Sequence, residues 1–244
     1  PPPPVPTNPS PAEALALLRE IETRFQNLQS LRYQVTRSSR KARQTQEERW
    51  IFSFAAPDRL RIDYQSPQER LVIITAQEMW EYVPSARKAL HTDLKPLSAA
   101  EKTRRMASVM ARVSIDGLHP GNLEPLTANV VSVTPLPGPP PVWRIEGTQP
   151  RFQLTLDPAR KTLIASEIHD AREQLTLRTE AGDWIEAMPG HWFPRQIRAV
   201  YPFESDFVVS QIRLEEIELN RPLDEALFSF TPPAGVEIVV PPRR

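Results

Sequence analysis

Apolar and polar residues alternate with a period of two along much of the chain, which is the pattern of strands that bury one face. In the segment 59–64, Leu60, Ile62 and Tyr64 alternate with charged residues, and the aromatic segment 47–54 before it has the same period. Because such segments recur towards the end of the chain, we predict a mainly-β (α+β) fold with about ten or eleven antiparallel strands. A sheet of this size twists and must protect its edges, so we expect a barrel or half-barrel.

Two amphipathic helices interrupt the strands, and each has a clear start signal. Ser10 precedes Pro11 and Glu13, which is a capping box with proline at the first helical position. Ser98 and Glu101 repeat the capping-box spacing. The apolar stripes are Leu15, Leu18, Ile21, Phe25 and Leu28 in the first helix, and Met106, Val109, Met110 and Val113 in the second. We expect both helices to cover the concave face of the sheet, the second as ordinary core packing or as a mobile lid.

Proline marks two segments that do not fit the strand pattern. Residues 1–10 predict an extended tether, either an ordinary disordered tail or the kind that follows a removed signal sequence or lipid anchor. Residues 134–141 are too rich in proline for a central strand, and we interpret them as a surface loop because the strand pattern resumes after them. Residues 11–244 are therefore predicted to form a single domain.

The composition narrows the possible function classes. The chain has 30 Lys and Arg residues against 30 Asp and Glu residues, so it lacks the basic excess of a nucleic-acid binder. It has no cysteine, which excludes a disulfide scaffold, a thiolate nucleophile and a Cys-bound zinc ion. No apolar run reaches the roughly 18 residues of a membrane span.

Motifs for catalysis are missing from the sequence. There is no nucleophile elbow, no phosphate-binding glycine loop and no metal-site spacing among the four histidines, which are His91, His119, His169 and His191. Glu167 shares a predicted strand face with His169 but has no obvious nucleophile beside it, so we interpret this pair as a solvated edge. The sequence therefore predicts a protein that is not an enzyme and needs no cofactor or metal. The basic residues within 102–112 are either a solvated helix face or a surface for anionic headgroups.

Large aromatic and aliphatic side chains are more numerous than a thin, single-sheet core requires. The face that they form is either sealed core or the lining of a cavity suited to acyl chains. The predicted lining residues are Trp50, Phe52, Phe54, Leu60, Ile62, Tyr64, Leu71, Ile73 and Trp80, with Met106 and Met110 on the covering helix. This assignment depends on register, because a slip of one residue exchanges the two faces of a strand.

Two blocks of sequence resemble the outer-membrane lipoprotein carrier (LolA-like) family. The first is 50–84, WIFSFAAPDRLRIDYQSPQERLVIITAQEMWEYVP, with a strand, a proline turn, an apolar strand and a Trp–Tyr strand. The second is 214–239, which ends in an aromatic strand and a Pro-Pro-Ala-Gly segment, and the early helix with 30–37 is similar to the family's opening. The resemblance implies an unclosed antiparallel β-barrel covered by helices, with a hydrophobic cavity, in a periplasmic carrier of acylated lipoproteins of Gram-negative bacteria.

The chain departs from the family pattern where the helical lid is tied to the sheet. Ala56 stands where carriers have an arginine, and Arg59 and Arg61 are the candidates to replace it. Our first hypothesis is a divergent periplasmic carrier that acts as a monomer and binds a lipid or an acylated lipoprotein. The alternative is an envelope sensor or protein-interaction domain on the same scaffold, with a protein partner in place of lipid cargo.

Overall fold

The computed structural model describes residues 9–113, 129–138, 140–204 and 206–241, which form two α-helices and one sheet of fourteen strands. The helices are α1 (Pro11–Gln26) and α2 (Ala99–Val113). The strands are β1 (Ser30–Lys41), β2 (Gln44–Ala55), β3 (Arg59–Ser66), β4 (Arg70–Ile74), β5 (Glu78–Val83), β6 (Lys88–Asp93), β7 (Val130–Leu136), β8 (Val142–Gly147), β9 (Phe152–Asp157), β10 (Thr162–His169), β11 (Leu175–Met188), β12 (His191–Phe203), β13 (Asp206–Leu219) and β14 (Glu237–Val239).

The strand order is β14-β6-β5-β4-β3-β2-β1-β13-β12-β11-β10-β9-β8-β7, and among the described residues the two end strands do not pair with each other. The predicted mainly-β fold with a large unclosed sheet is therefore confirmed. The neighbouring strands for which a residue register is described pair antiparallel, except for β14, which runs parallel to β6. The sheet has more strands than the ten or eleven predicted, partly because the three-residue β14 also pairs.

The proline-rich segment 134–141 is only partly a loop. Residues 134–136 complete β7, where Pro135 lies opposite Trp143 of β8. The strand β7 lies at one end of the strand order, so one side of its backbone needs no partner and a proline is tolerated there.

The contacts divide the chain into two compact units. The first comprises the described residues within 1–27, 38–46 and 114–213, and the second those within 28–37, 47–113 and 214–244. In the first unit, the buried residues of α1 pack with residues of β8, β9 and β10 into one hydrophobic cluster. The cluster contains Ala14, Leu17, Leu18, Ile21, Trp143, Ile145, Phe152, Leu154, Leu156 and Leu163.

Both predicted helix starts are confirmed by their hydrogen bonds. The Ser10 backbone N–H donates to Glu13 Oε2 at 2.7 Å, and the Glu13 N–H donates to Ser10 Oγ at 3.2 Å. The Ser98 N–H donates to Glu101 Oε2 at 2.8 Å in the same way. In α1 the buried stripe runs through Ala14, Leu17, Leu18 and Ile21, so Leu15 lies at its margin. No helix in the described part of the chain is both long and apolar enough to cross a membrane.

Candidate functional site

Strands β2, β3 and β4 of the second unit present one continuous apolar face. Residues that lie opposite each other in antiparallel strands point to the same side of the sheet. Their register pairs Phe52 with Ile62 and Ile62 with Val72, and the neighbouring pairs follow the same rule. We call this surface the Trp50 face, and it comprises Trp50, Phe52, Phe54, Leu60, Ile62, Tyr64, Val72 and Ile74.

The register corrects part of the predicted lining. Leu71 and Ile73 lie opposite Tyr82 and Trp80, on the other side of the sheet from the Trp50 face. We call this second surface the Trp80 face, and it comprises Leu71, Ile73, Trp80, Tyr82 and Ala89. Because 70–74 is apolar at nearly every position, its periodicity cannot show which residues point to which side.

The Trp50 face also has members that the sequence pattern does not identify. Val72 and Ile74 belong to it by register, and Tyr33 of β1 stacks on Phe52 with ring centroids 4.8 Å apart. Tyr33 lies in a segment where apolar and polar residues alternate, so the sequence pattern predicts that it points to the apolar side of its strand. Its contact with Phe52 depends on strand order, which the pattern does not give. Burial raises the pKa of the Tyr33 hydroxyl far above its ordinary value.

The centre of the Trp50 face is closed to solvent. Trp50 is 3% exposed, Phe52 1% and Ile62 0%, whereas Phe54 and Tyr64 are half-buried. Burial of large aromatic and aliphatic side chains is the main stabilising contribution to such a core. The face is thus a closed apolar surface in this structure, with half-buried aromatic residues at its margins.

Arginine side chains border the Trp50 face at the Tyr64 end. The Arg70 guanidinium lies 4.1 Å from the centroid of the Tyr64 ring, and that of Arg37 lies 5.1 Å from the Trp50 ring. Each arginine also pairs with a carboxylate, since Arg37 donates to Glu48 at 2.7 Å and Arg70 to Glu81 at 3.3 Å. These contacts are cation–π interactions at a partly solvated rim.

One polar atom within the Trp50 face lacks a partner. The Trp50 indole Nε1 is buried and has no hydrogen-bond acceptor among the described residues. A buried tryptophan N–H usually has an acceptor, and leaving it without one costs free energy. The face therefore contains a buried donor without an acceptor among the described residues.

The C-terminal segment covers the Trp80 face. Phe230 contacts Trp80 with ring centroids 5.5 Å apart and Tyr82 at 5.2 Å, and Val236 packs against the same cluster. The His91 ring stacks on Trp80 with ring centroids 4.1 Å apart. The Trp80 face therefore packs against residues 230–236 of the same chain.

Arg59 and Arg61 tie this C-terminal segment to β3. Arg61 donates to the Leu227 carbonyl at 2.9 Å and to both oxygens of Asp63, while Arg59 reaches Glu225 at 3.2 Å. Both arginines thus act on the side of the sheet that carries the Trp80 face, as their alternation with Leu60 and Ile62 requires. The side chain of Ala56 cannot form a latch, and its backbone N–H donates to the Gln29 carbonyl at 2.8 Å.

Helix α2 contributes one buried apolar residue among those described. Val109 is buried and Met106 half-buried, whereas Glu101, Arg104 and Arg105 are exposed. The helix is therefore amphipathic, as its sequence predicts. The side chain of Met110 lies outside the described residues.

A pocket of about 310 Å³ lies in the first unit, and Phe152 of α1's hydrophobic cluster forms part of its lining. Its charged and ionisable lining includes Glu146, Arg151, Glu167 and His169. His169 Nε2 lies 3.3 Å from Glu167, whose other oxygen accepts from Arg178 at 2.8 Å. Glu167 therefore already has two partners within the first unit, His169 and Arg178. In the described part of the chain, no group of three His, Asp or Glu residues could hold a metal ion.

No protein-family model and no curated protein matches the chain. Solved structures with the same fold do exist. A DUF1329 family protein from Desulfovibrio piger is 16% identical, with a TM-score of 0.59 over 91% of this chain and 98% of its own. A domain from Vibrio parahaemolyticus, described as an outer membrane lipoprotein-sorting protein, is 11% identical with a TM-score of 0.57 over 90% and 97% of the two chains.

A LolA superfamily protein from Nitrosomonas europaea is 12% identical, with a TM-score of 0.52 over 89% of this chain and 97% of its own. At these identities the likeness concerns the fold, and it agrees with the motifs in 50–84 and 214–239. The resemblance found in the sequence is thereby confirmed: the chain is a divergent protein with a LolA-like fold.

Proposed function

We propose that this protein is a carrier in the bacterial envelope that binds the acyl chains of a lipid or lipoprotein against the Trp50 face. The observation that carries the proposal is the continuous apolar surface shared by β2, β3 and β4, with Tyr33 stacked on it. The likeness in fold to a LolA superfamily protein and to a lipoprotein-sorting domain supports it. Binding of this kind needs neither a catalytic residue nor a cofactor.

The proposed ligand enters by displacing residues that cover the Trp50 face. Roughly ten methylene groups at about 0.8 kcal/mol each give about 8 kcal/mol, which corresponds to a micromolar Kd before any cost of opening. Opening must therefore cost only a few kcal/mol for binding to be useful. We propose α2 as the moving element, because it is amphipathic and buries Val109 while its other side is exposed.

Two polar features of the Trp50 face suit the head of an acylated ligand. The Trp50 N–H is a buried donor that can donate a hydrogen bond to the ester or amide carbonyl of an acyl chain. Arg37 and Arg70 lie beside the same end of the face, where a phosphate or carbonyl would remain near water. The chain would then lie along the strands, with its polar end at the Tyr64 side.

The two tryptophans on opposite faces provide a matched test. Phospholipids brominated on the acyl chain quench tryptophan fluorescence on contact, so we expect them to quench Trp50. Replacement of Trp50 by Phe should remove the quenched component, and the control Trp80→Phe should retain it. Quenching that disappears with Trp80→Phe and persists with Trp50→Phe would place the ligand on the wrong side of the sheet and contradict the proposal.

A second candidate function is favoured by the closure of the Trp50 face. Phe52 is 1% exposed and Ile62 is 0% exposed, and such low exposure is equally expected of a permanently closed hydrophobic core. The protein would then be a sensor or interaction domain with a protein partner. Native mass spectrometry of the purified protein, with solvent extraction of bound material, separates the two functions. Bound acyl lipid would support the carrier. Absence of bound lipid, together with no uptake of added lipid, would support the interaction domain.

A further inference from the structure

Two exposed phenylalanines lie at the end of the β12–β13 hairpin. Phe203 is 44% exposed and Phe207 is 48% exposed, and both belong to the first unit. Isolated apolar residues are common on protein surfaces, but large aromatic side chains grouped at a hairpin end expose a concentrated apolar area. About half of the surface of each residue is therefore accessible to solvent.

The two rings lie on opposite faces of this hairpin. Phe203 is paired with Asp206, and Pro202 with Phe207, so the two phenylalanines occupy successive cross-strand pairs. Successive pairs along a hairpin point to opposite sides. A partner that packs flat on one face of the sheet would touch one ring, whereas a medium that surrounds the hairpin end would touch both.

A turn with basic residues lies beside the hairpin end that carries the two phenylalanines. Arg40 and Lys41 end β1 and Arg43 lies in the turn to β2, and the Lys41 ammonium lies 3.8 Å from the centroid of the Phe203 ring. Lys41 also pairs with Glu204 at 3.0 Å. Arg40 and Arg43 are exposed, and neither forms an ion pair with any residue that the structure describes. We call Arg40, Lys41, Arg43, Phe203 and Phe207 the aromatic–basic tip.

We propose that the aromatic–basic tip docks end-on to the surface of a bilayer that contains anionic phospholipids. Aromatic rings enter the region between headgroups and acyl chains, while cations beside them meet the lipid phosphates. Three cations outnumber the two carboxylates at the tip, Glu204 and Asp206, and Lys41 already neutralises Glu204. The inference is independent of acyl-chain binding on the Trp50 face.

The geometry favours a membrane over a protein partner. A protein interface of this size would need a shaped apolar surface, whereas the tip offers two rings facing opposite ways and two arginines, Arg40 and Arg43, without an ion pair to any described residue. A bilayer surface imposes no shape and provides a high density of negative charge. Binding should therefore be weak, reversible and sensitive to salt.

Flotation of the 244-residue chain with vesicles tests this proposal. We expect it to bind vesicles of phosphatidylcholine and phosphatidylglycerol at low salt, and to bind pure phosphatidylcholine vesicles much less. Replacement of Arg40 and Arg43 by Gln should weaken partitioning roughly thirtyfold, since each cation near an anionic surface contributes about a factor of five. Replacement of Phe203 and Phe207 by Ser should weaken it about tenfold or more.

Val131→Ser is the matched control, because Val131 is 65% exposed in the same unit but lies on β7. This variant should bind like the unmodified protein. Failure of the unmodified protein to bind anionic vesicles would overturn the proposal, as would full binding by both tip variants. Because the arginine variant changes only exposed side chains, it remains informative even if the phenylalanine variant folds poorly. Both tip variants should retain quenching of Trp50 by brominated lipid, which separates this result from that of the carrier proposal.

Discussion

Replacement of Trp50 by Phe should leave the stability of the protein almost unchanged, although Trp50 is a nearly fully buried core residue. The indole is larger than a phenyl ring by two carbons and the N–H group, and losing two buried carbons costs about 1.6 kcal/mol. Weakening the contact with the Arg37 guanidinium, 5.1 Å from the ring, adds about 0.5 kcal/mol. Both effects destabilise the variant.

The opposing effect comes from the indole N–H. Trp50 Nε1 has no acceptor among the described residues, and a buried donor without a partner costs about 1–3 kcal/mol. Phenylalanine removes this donor, so the two effects nearly cancel and the free energy of unfolding should change by less than about 1 kcal/mol. A buried tryptophan with a bonded N–H would lose the hydrogen bond as well as the packing.

Urea unfolding followed by far-ultraviolet circular dichroism measures this difference without depending on tryptophan fluorescence. The control Trp80→Phe removes a similarly unpartnered indole, but it also removes the stack on His91 and should destabilise more. A loss above about 3 kcal/mol for Trp50→Phe would refute the reasoning. It would mean that removing the unpartnered donor does not offset the packing lost with the indole.

Three further predictions concern the first unit. Leu18→Ala should lower the free energy of unfolding by about 2–5 kcal/mol, because Leu18 is 1% exposed in the cluster under α1; urea unfolding measures it. Ser166 and Thr179 share a buried hydrogen bond of 2.6 Å, so Ser166→Ala and Thr179→Val should each lower the free energy of unfolding by about 1–3 kcal/mol. In a double-mutant cycle, the double variant should lose less than the sum of the two single variants. The hydrogen bond from Lys161 lowers the pKa of Glu20, so the stability that Glu20 contributes is present above the ordinary glutamate pKa and is lost as the pH falls through the lowered one. The urea midpoint of Glu20→Gln should lie below that of the unmodified protein at neutral pH and meet it in acid.

Much of the second unit could be predicted from the sequence where polar residues mark one side of a strand. In β3, Arg61 and Asp63 alternate with Leu60 and Ile62, and the structure places the two sets on opposite sides. The same signal is absent from β4, where Val72, Ile73 and Ile74 are all buried. A strand covered on both sides contains no polar marker, so only its register with β3 assigns its faces.

Contacts between distant parts of the chain were beyond sequence reasoning for a different reason. The covering of the Trp80 face by Phe230 and the bond from Arg61 to the Leu227 carbonyl join residues more than a hundred positions apart. No local pattern encodes such a contact. The exposure of Phe203 and Phe207 could likewise not be predicted from the sequence. Aromatic residues at a strand end have the same sequence pattern as core residues, and only the positions of neighbouring elements distinguish them.

The proline in β7 has a consequence for how copies of this protein behave towards each other. Strand edges with free backbone donors and acceptors recruit further strands, and this is the usual route to edge-to-edge aggregation. At one end of the order, Pro135 removes a donor from β7, and at the other end β14 is only three residues long. Both terminal strands of the described sheet are therefore poor templates for a further strand, so edge-to-edge pairing between copies is disfavoured.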